Sequence, residues 1–288
     1  MIGTVLGGYQ VIEKIKDGSV GTVYKGRNPS NQDVAIKVIS EKSLRKPHAK
    51  RMFRREADIA TRLNHPAIIK IRKYADGPPR PYIIMEFFLS EDLKYAFWHR
   101  PAWVRGQEFY LLPQIAEARH YCHQQGIVHR DVKPENVLVN ARSQIRLIDF
   151  SIAQTGSFWE RLFGRKGAQG TPLYMAPEQI QGAPADPRSD MYSFGVMAFE
   201  LLARKPPFIG VNEKSILERH LKAPPPSLRS IVPRASREMD EFLQRLLAKK
   251  PADRFADMST VYFELSKWEK KGTEIRLREV GPIEPKSK

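Results

Sequence analysis

The apolar residues in the first third of the chain are concentrated in short β-favouring runs. Glycine, asparagine and proline turn signals separate these runs, which predict strands at residues 9–15, 22–27, 33–39, 68–74 and 81–87. Between the third and fourth runs, Phe53, Ile59 and Leu63 form an apolar stripe at helical spacing, which predicts a polar helix over residues 47–64. The first part of the chain is therefore expected to be a small sheet with one main helix.

From Leu93 onward the pattern becomes helical. The segments predicted as helices are residues 114–125, 190–203, 239–249 and 258–267. Gly126 gives the first of them a C-terminal stop, and Pro113 either begins that helix or kinks a longer one. A strand-rich part followed by a helix-rich part predicts an α+β chain with two lobes and a cleft between them.

Composition is that of ordinary globular material, with 41% hydrophobic and 28% charged residues, so neither disorder nor a fibrous repeat fits. The single cysteine, Cys122, excludes an internal disulfide framework and suits a reducing compartment. The longest apolar run, residues 194–203, is interrupted by Gly195 and Glu200 and is too short to cross a bilayer. Residues 1–9 lack the basic start and apolar core of a signal peptide. We therefore expect a cytoplasmic protein without a membrane span.

The net charge of +16 is unusual, and half of it lies within residues 41–80, which contain twelve basic and four acidic residues. One interpretation is a solvated face around the predicted helix, and the other is a docking surface for an acidic partner. A nucleic-acid partner is not expected, because no motif typical of nucleic-acid-binding proteins appears.

Several short motifs follow one another in a diagnostic order. They are Gly18-Ser19-Val20-Gly21, Val34-Ala35-Ile36-Lys37, His129-Arg130-Asp131-Val132-Lys133-Pro134-Glu135-Asn136, Asp149-Phe150-Ser151 and Ala176-Pro177-Glu178. In this order they resemble the motifs of Hanks-type serine/threonine protein kinase catalytic domains. The sequence as a whole is most similar to those of bacterial members. The resemblance covers residues 9 to about 269.

This resemblance implies a two-lobed protein-kinase fold. Residues 9–88 would form an N-lobe with a small antiparallel sheet and one main helix, and residues 89–269 a larger, mainly helical C-lobe. Residues 270–288 would form a polar C-terminal tail.

The implied reaction is transfer of the γ-phosphoryl of ATP to serine or threonine hydroxyls of protein substrates. Asp131 would orient the substrate hydroxyl and accept its proton, and Lys133 would neutralise charge on the moving phosphoryl group. Lys37, held by Glu56 on the predicted helix, would contact the α- and β-phosphates. Serine/threonine specificity rests on the position of Lys133 and on residues 170–174, where Thr171 would bridge Asp131 and Lys133.

The resemblance also implies a nucleotide site and a metal site. Asn136 and Asp149 would bind Mg²⁺, with Mn²⁺ as the alternative, because a hard cation requires oxygen ligands. The residues expected around the nucleotide are Gly18 and Gly21 at the phosphates, Val23, Ala35 and Leu138 at the adenine ring, Glu86 to Phe88 as the hinge behind the gatekeeper Met85, and Asp92 at the ribose.

Two residues depart from the family pattern. Lys16 stands where the first glycine of the loop is expected, so its side chain either restricts the loop or brings an ammonium group near the nucleotide. Ser151 replaces the glycine after Asp149-Phe150 and reduces the freedom of that turn. Both raise the alternative of a pseudokinase scaffold that binds nucleotide and partners without efficient catalysis. Against that alternative, all six groups that catalysis requires are present: Lys37, Glu56, Asp131, Lys133, Asn136 and Asp149.

Three further residues have structural roles: Glu178 is expected to pair with Arg254, and Asp190 to hold the backbone of the catalytic loop. The segment of residues 158–169 contains no serine, threonine or tyrosine that could receive a phosphate facing Arg130. Its apolar residues, Phe158, Trp159, Leu162 and Phe163, predict a short helix docked by burial, or alternatively a surface loop whose aromatic residues serve a partner.

Overall fold

Six strands form one antiparallel sheet in the first part of the chain. The computed structural model describes residues 1–155, 170–184 and 186–270. The strands are β1 (Val5–Leu6), β2 (Tyr9–Asp17), β3 (Gly21–Arg27), β4 (Asp33–Ile39), β5 (Ile71–Ala75) and β6 (Tyr82–Glu86). Their order in the sheet is β1-β2-β3-β4-β6-β5. The five strands predicted from the sequence are all present, and β1 is an addition at the edge.

The two faces of this sheet bury different clusters because side chains alternate along each strand. On β4, Val34, Ile36 and Val38 belong to a small outer cluster, which also includes Leu6 and Val11. The residues between them face the helical lobe: Ala35 and Ile39 belong to the main core, and Lys37 shares their face. The inner face of the sheet is therefore the roof of the cleft.

Two helices connect β4 to β5: α1 (Glu41–Leu44) and α2 (Pro47–Ala60). Pro47 begins α2, where the missing N–H costs no hydrogen bond. The helix ends at Ala60 and not at residue 64 as predicted, because the backbone tightens into three-residue turns, from Arg62 N to Ile59 O and from Leu63 N to Ala60 O. Leu63 is nevertheless buried, so the apolar stripe that predicted the helix extends past the end of the helix.

Eight helices of the described residues form the second lobe. They are α3 (Leu93–His99), α4 (Pro101–Val104), α5 (Glu108–Gln124), α6 (Pro177–Ile180), α7 (Pro187–Ala203), α8 (Glu213–Lys222), α9 (Arg237–Leu246) and α10 (Met258–Lys270). Five short strands accompany them: β7 (Glu91–Asp92), β8 (Ile127–Val128), β9 (Val137–Val139), β10 (Ile145–Leu147) and β11 (Gln154–Thr155). The four predicted helices are present, and the expected two-lobed α+β architecture is confirmed.

Helix α5 decides between the two options for Pro113. The helix begins at Glu108, so Pro113 lies inside a longer helix and does not start it. The entry of α5 is held by Glu108, which is fully buried, accepts a hydrogen bond from Gly106 N at 2.6 Å and pairs with Arg204.

Helix α7 is the centre of the second lobe, and residues 189–203 on it are all buried. Gly195 allows α9 to approach closely, since a Cβ at this position would lie 2.7 Å from the Cβ of Leu246. The main core continues from α7 to the inner face of the sheet.

The lobes are joined beside the cleft by backbone hydrogen bonds. Ile69 N donates to Leu147 O, and Leu147 N donates to Ala67 O, so the end of β10 lies against the segment after α2. The two motifs that contain Asp131 and Asp149 flank β9 and β10 and are therefore held at the floor of the cleft.

None of the helices within residues 1–155, 170–184 and 186–270 has the length and apolarity that a membrane span requires. The predicted short helix with Phe158 and Trp159, and the tail beyond Lys270, lie outside the described residues.

Candidate active site

Asp190 at the start of α7 holds the backbone of the catalytic loop, residues 129–136. Its Oδ1 accepts from Arg130 N at 2.8 Å, and its Oδ2 accepts from His129 N at 2.9 Å. His123 Nε2 lies 2.9 Å from the same Oδ2. Burial alone would raise the pKa of Asp190, but the hydrogen bond and charge of His123, with Arg119 nearby, lower the pKa to about 2. The predicted role of Asp190 is confirmed.

Two residues of the motifs have left-handed backbone conformations that side chains disfavour. The φ angles are +69° at Arg130 and +64° at Asp149. The buried carboxylate of Asp190 holds the first of them, and Asp149 Oδ1 accepts from Ser151 N at 3.2 Å beside the second. Such strain is concentrated at functional sites, where the surrounding structure enforces it.

The carboxylate of Asp131 is the centre of a closed polar network. Its Oδ1 accepts from Thr171 N at 3.0 Å and from Thr171 Oγ1 at 2.8 Å. Its Oδ2 lies 2.6 Å from Lys133 Nζ and 3.2 Å from Asn136 Nδ2. Lys133 Nζ also donates to Thr171 Oγ1 at 2.7 Å. Thr171 therefore bridges Asp131 and Lys133, as the sequence predicted.

Lys37 of β4 and Glu56 of α2 form a buried ion pair. Lys37 Nζ lies 2.7 Å from Glu56 Oε1 and 2.6 Å from Oε2, and the two side chains are 14% and 7% exposed. Burial alone would lower the pKa of Lys37, but the carboxylates of Glu56 and Asp149 outweigh it and raise the pKa. An ammonium group thus stays charged in the cleft, and the predicted pairing is confirmed.

The backbone of Asn136 is joined to the residue before Asp149, because Ile148 N donates to Asn136 O at 3.0 Å. The pKa of Asp149 is lowered: burial would raise it, but Lys37 and hydrogen bonds from Ser151 dominate. Asn136 Nδ2 donates to Asp131, which leaves its amide oxygen as an acceptor.

Asp149 and Asn136 offer a carboxylate oxygen and an amide oxygen to a divalent cation. Among the described residues, no group of three or more histidine, cysteine, aspartate or glutamate side chains forms a metal cage. A carboxylate oxygen and an amide oxygen fit a metal such as Mg²⁺, which takes few protein ligands and completes its shell with phosphate and water oxygens.

The glycine-rich loop connects β2 and β3. Gly18 N donates to Gly21 O at 2.8 Å and closes the turn. A Cβ at Gly21 would lie 2.3 Å from Val38 O, so this position excludes any side chain. Gly21 is thus required by packing of the loop on β4, a reason that the sequence motif alone did not give.

Apolar side chains from both lobes face the site predicted for adenine. Val23 pairs with Lys37 and Ala35 pairs with Met85 on the inner face of the sheet, while Leu138 lies on β9 below. The hinge follows β6. There the carboxylate of Glu86 accepts from Arg146 Nε at 2.9 Å and from Lys70 N at 3.0 Å, and Phe88 O accepts from Ser90 Oγ at 2.8 Å.

Asp92 follows the hinge and begins α3. Its Oδ1 caps the helix by accepting from Tyr95 N at 2.8 Å, and its Oδ2 lies 2.6 Å from Lys16 Nζ. The sequence indicated that Lys16 would be near the nucleotide or restrict the loop, but its pairing with Asp92 was missed.

The loop of residues 170–174 is anchored by residues that sequence motifs did not reveal. Tyr174 OH donates to Glu200 Oε2 at 2.6 Å, and Lys94 Nζ donates to Glu200 Oε1 at 2.6 Å. His220 Nε2 lies 3.0 Å from Leu173 O. These residues come from three different helices, and no local signal relates them.

The predicted pair of Glu178 and Arg254 is confirmed. Arg254 Nη1 and Nη2 lie 2.7 and 2.9 Å from the two carboxylate oxygens, and the arginine side chain is fully buried. The pKa of Glu178 is lowered, because Arg254 and Ser189 outweigh the effect of burial.

Most of the chain matches a known protein family. The family model described as the protein kinase domain matches residues 9–263. The chain belongs to the protein kinase family. Membership implies use of ATP and a divalent metal ion, and action on protein substrates.

Two similar proteins are bacterial kinases. The serine/threonine-protein kinase Pkn1 of Myxococcus xanthus is 33% identical over 264 residues, which are 90% of this chain and 38% of Pkn1. The serine/threonine-protein kinase PknB of Mycobacterium tuberculosis is 32% identical over 255 residues, 86% of this chain and 40% of PknB. The chain thus spans about two fifths of the length of these relatives, and the predicted resemblance to bacterial members is confirmed.

Proposed function

We propose that this chain is an ATP-dependent serine/threonine protein kinase. The observation that carries the proposal is the network in which Lys133 and Thr171 both contact the carboxylate of Asp131. The names of the relatives, which are serine/threonine-protein kinases, support the same class of acceptor.

In the proposed mechanism, Asp131 orients the substrate hydroxyl and accepts its proton. Its carboxylate is fixed by Thr171 on one oxygen and by Asn136 on the other, so little reorganisation is needed when a hydroxyl arrives. Lys133 lies close enough to neutralise charge that develops on the transferred group.

The proposed nucleotide site lies between the lobes. Lys37, held by Glu56, is the cation for the phosphates, and its raised pKa keeps it charged. The other residues proposed to contact the nucleotide are Gly18, Gly21, Val23, Ala35, Glu86, Phe88, Asp92 and Leu138. Within this proposal the N-lobe comprises residues 9–88, the C-lobe residues 89–269 and the tail residues 270–288.

Asn136 and Asp149 are the proposed metal ligands. Mg²⁺ is the proposed metal and Mn²⁺ the alternative, because both are hard cations that accept carboxylate and amide oxygens. A bound cation would supply neutralisation of phosphate charge.

The alternative, a pseudokinase scaffold, has no observation in its favour. The two departures at Lys16 and Ser151 remove no catalytic group, and Ser151 N donates to the carboxylate of Asp149. Lys37 and Asp131 are each engaged by the partners that catalysis requires.

The test is incubation of the purified protein with labelled ATP, Mg²⁺ and a generic protein substrate such as casein, followed by phosphoamino-acid analysis. We expect label on serine and threonine, and none above background with the Asp131→Asn protein. Nucleotide binding without label transfer would support the pseudokinase alternative, and label on tyrosine alone would contradict the proposed acceptor class.

We also propose an acidic protein segment as the partner of the basic surface around α1 and α2. Its basic residues are exposed: Arg45, Lys46, Lys50, Arg51 and Arg54. Acidic neighbours partly neutralise two of them, with Lys50 Nζ 3.1 Å from Asp76 and Arg54 Nε 3.8 Å from Asp58. A partner here would contact the helix that carries Glu56 and could bias its pairing with Lys37.

A polyglutamate peptide serves as the probe for this surface, with binding followed by fluorescence anisotropy at low salt. Reversal to glutamate at Arg45, Lys46 and Lys50 is expected to abolish binding. The control protein carries the same reversal at three exposed basic residues of the other lobe, Lys205, Lys214 and Arg229. Equal binding of the peptide by the two proteins would contradict the docking surface and support the alternative, a solvated face around α2.

A further inference from the structure

Lys16 reaches the cleft because of a bulge in β2. Lys14 pairs with Tyr24, whose side chain packs on the outer face of the sheet. In a regular strand, residues 14 and 16 would share a face. The register shifts between them, and Lys16 pairs with Val23, which itself pairs with Lys37. Directly opposed residues project to the same side, so the bulge moves Lys16 from the outer face to the cleft face.

The partner of Lys16 is a carboxylate whose two oxygens are both engaged. Asp92 Oδ1 caps α3, and Asp92 Oδ2 accepts from Lys16 Nζ at 2.6 Å. The side chain of Asp92 is only 14% exposed, whereas that of Lys16 is 60% exposed. The cap of α3 uses Oδ1, so Oδ2 is the oxygen that remains for a ligand. The ammonium group of Lys16 lies against this oxygen.

The position of Asp92 relates this pair to the nucleotide. Asp92 pairs with Leu138 on β9, and Leu138 lies at the floor of the site proposed for adenine. A carboxylate beside the adenine floor is placed to accept hydrogen bonds from the hydroxyl groups of the sugar. The sugar would therefore share this oxygen atom with the ammonium group of Lys16, and a shared oxygen offers a weaker hydrogen bond to each donor.

We propose that Lys16 is a specificity-determining residue for the nucleotide sugar. By occupying Asp92 Oδ2, it weakens the hydrogen bond that would distinguish a ribose from a deoxyribose, so that this kinase accepts both sugars. The inference rests on the proposed nucleotide site and adds the role of Lys16 to it.

Comparison of sugars separates this role from simple charge attraction. Removal of a lysine from the cleft weakens the attraction for every nucleoside triphosphate to the same extent, because the phosphates are identical. Only an effect on the sugar contact changes the ratio between dissociation constants. The ratio of Kd for deoxy-ATP to Kd for ATP is therefore the quantity to measure.

The experiment is calorimetric titration of the full chain with Mg²⁺ and ATP, 2′-deoxy-ATP or 3′-deoxy-ATP. The wild type is expected to bind the three with Kd values within about twofold, since the contested oxygen contributes little. In the Lys16→Met protein, loss of one of the hydroxyl groups is expected to raise Kd at least about tenfold, the effect of a hydrogen bond to a charged group.

Lys14→Met is the matched control. Lys14 lies on the same strand and forms an ion pair of the same kind, with Nζ 2.5 Å from Asp17, but it belongs to the outer face. Its replacement is expected to leave the ratio of Kd values unchanged. Asp92→Asn, which retains a helix-capping side chain, is expected to return the Lys16→Met protein to the ratio of the wild type.

Equal ratios in the wild-type and Lys16→Met proteins would overturn the inference, as would equal weakening of all three nucleotides, which would indicate a phosphate contact. If Lys16→Met changes the ratio but Asp92→Asn does not restore it, the sugar is read elsewhere and the inference is also wrong. Failure of the wild type to bind any of the three nucleotides would instead contradict the proposed function.

Discussion

His220 and Leu173 are joined by a hydrogen bond in which His220 Nε2 donates to the carbonyl oxygen of Leu173 at 3.0 Å. A carbonyl can only accept, so Nε2 carries a proton. Burial lowers the pKa of His220 to about 4, so the imidazole is neutral at neutral pH, and Nδ1 then accepts from Tyr192 OH at 3.0 Å. This contact fastens the loop next to Thr171 to α8, and it makes that loop depend on the protonation of a buried histidine.

The first prediction is a loss of stability in acid that depends on His220. Burial, with the charge of Lys249, lowers the pKa of His220 from 6.5 to about 4. The unfolded chain binds the proton first, so the stability from the neutral ring is present above pH 6.5 and is lost as the pH falls through 4. Urea denaturation at pH values across this window is expected to show a smaller loss for His220→Gln than for the wild type.

The control for His220 is His99→Gln, which replaces an exposed histidine. Its loss of stability is expected to equal that of the wild type. His129 is also buried, and its pKa is lowered to about 4 by burial and by Arg119, so part of the acid sensitivity remains in both variants. Identical curves for His220→Gln and the wild type would refute the assignment of a neutral His220.

The second prediction separates the structural and catalytic roles of Lys37 and Glu56. Removal of one member of a buried ion pair leaves an uncompensated charge, so Glu56→Leu is expected to destabilise the fold by about 3–5 kcal/mol. The double variant Lys37→Met/Glu56→Leu removes both charges and is expected to recover much of that loss. Phosphoryl transfer should remain absent in both, because the cation for the phosphates is missing or misplaced.

Thermal unfolding and a kinase assay on the same samples make this measurement. An active double variant would mean that Lys37 does not bind the phosphates. A double variant no more stable than Glu56→Leu would show that the charge left on Lys37 is not the source of the instability.

The sequence predicted which polar groups meet at the proposed active site, because the chemistry proposed for that site restricts the residue types and their order. Asp131, Lys133 and Thr171 meet in the structure as expected, and the strands around Lys37 follow from local β-favouring runs. These features depend on neighbours within a short segment or on a motif whose members have fixed roles.

Contacts between distant elements could not be predicted in the same way. The pair of Lys16 and Asp92 depends on a one-residue register shift in β2, which turns the side chain to the other face and leaves no mark in the composition. The contacts of Glu200 with Lys94 and Tyr174 join positions separated by 106 and 26 residues, and each residue alone is commonplace. The segment with Phe158 and Trp159 stays a prediction.

The third prediction concerns Arg254, which is fully buried and contacts both oxygens of Glu178. It also donates to the backbone carbonyls of Arg188, Ala248 and Lys249. Arg254→Lys keeps the charge but loses the planar fork, so we expect a destabilisation of about 2–4 kcal/mol. The measurement is denaturant unfolding with Arg237→Lys as control, an exposed arginine that pairs with Glu241 on its own helix. A change below about 0.5 kcal/mol for Arg254→Lys would show that charge alone, without the fork, maintains the pair.

The last prediction distinguishes the two carboxylates at the floor of the cleft. Asp131 is held by Thr171 and Lys133 and accepts a hydrogen bond from the amide of Asn136, but it is not itself a proposed metal ligand, so Asp131→Asn is expected to leave nucleotide affinity nearly unchanged. Its turnover should fall about a hundredfold or more, the effect of removing a general base. Asp149 is ionised beside Asn136 and Lys37, so Asp149→Asn should weaken binding of ATP in Mg²⁺ and lower turnover as well.

Calorimetry with and without Mg²⁺ sharpens this comparison. The Asp149→Asn protein is expected to lose the part of ATP affinity that depends on Mg²⁺, whereas the Asp131→Asn protein should retain it. Both replacements are close in size to the native residue, and a thermal unfolding curve for each protein excludes a general loss of structure. Near-normal phosphorylation of a protein substrate by Asp131→Asn would remove Asp131 from the role of base. An unchanged response to Mg²⁺ in Asp149→Asn would remove Asp149 from the metal site, because a lost carboxylate ligand must lower the affinity for the cation.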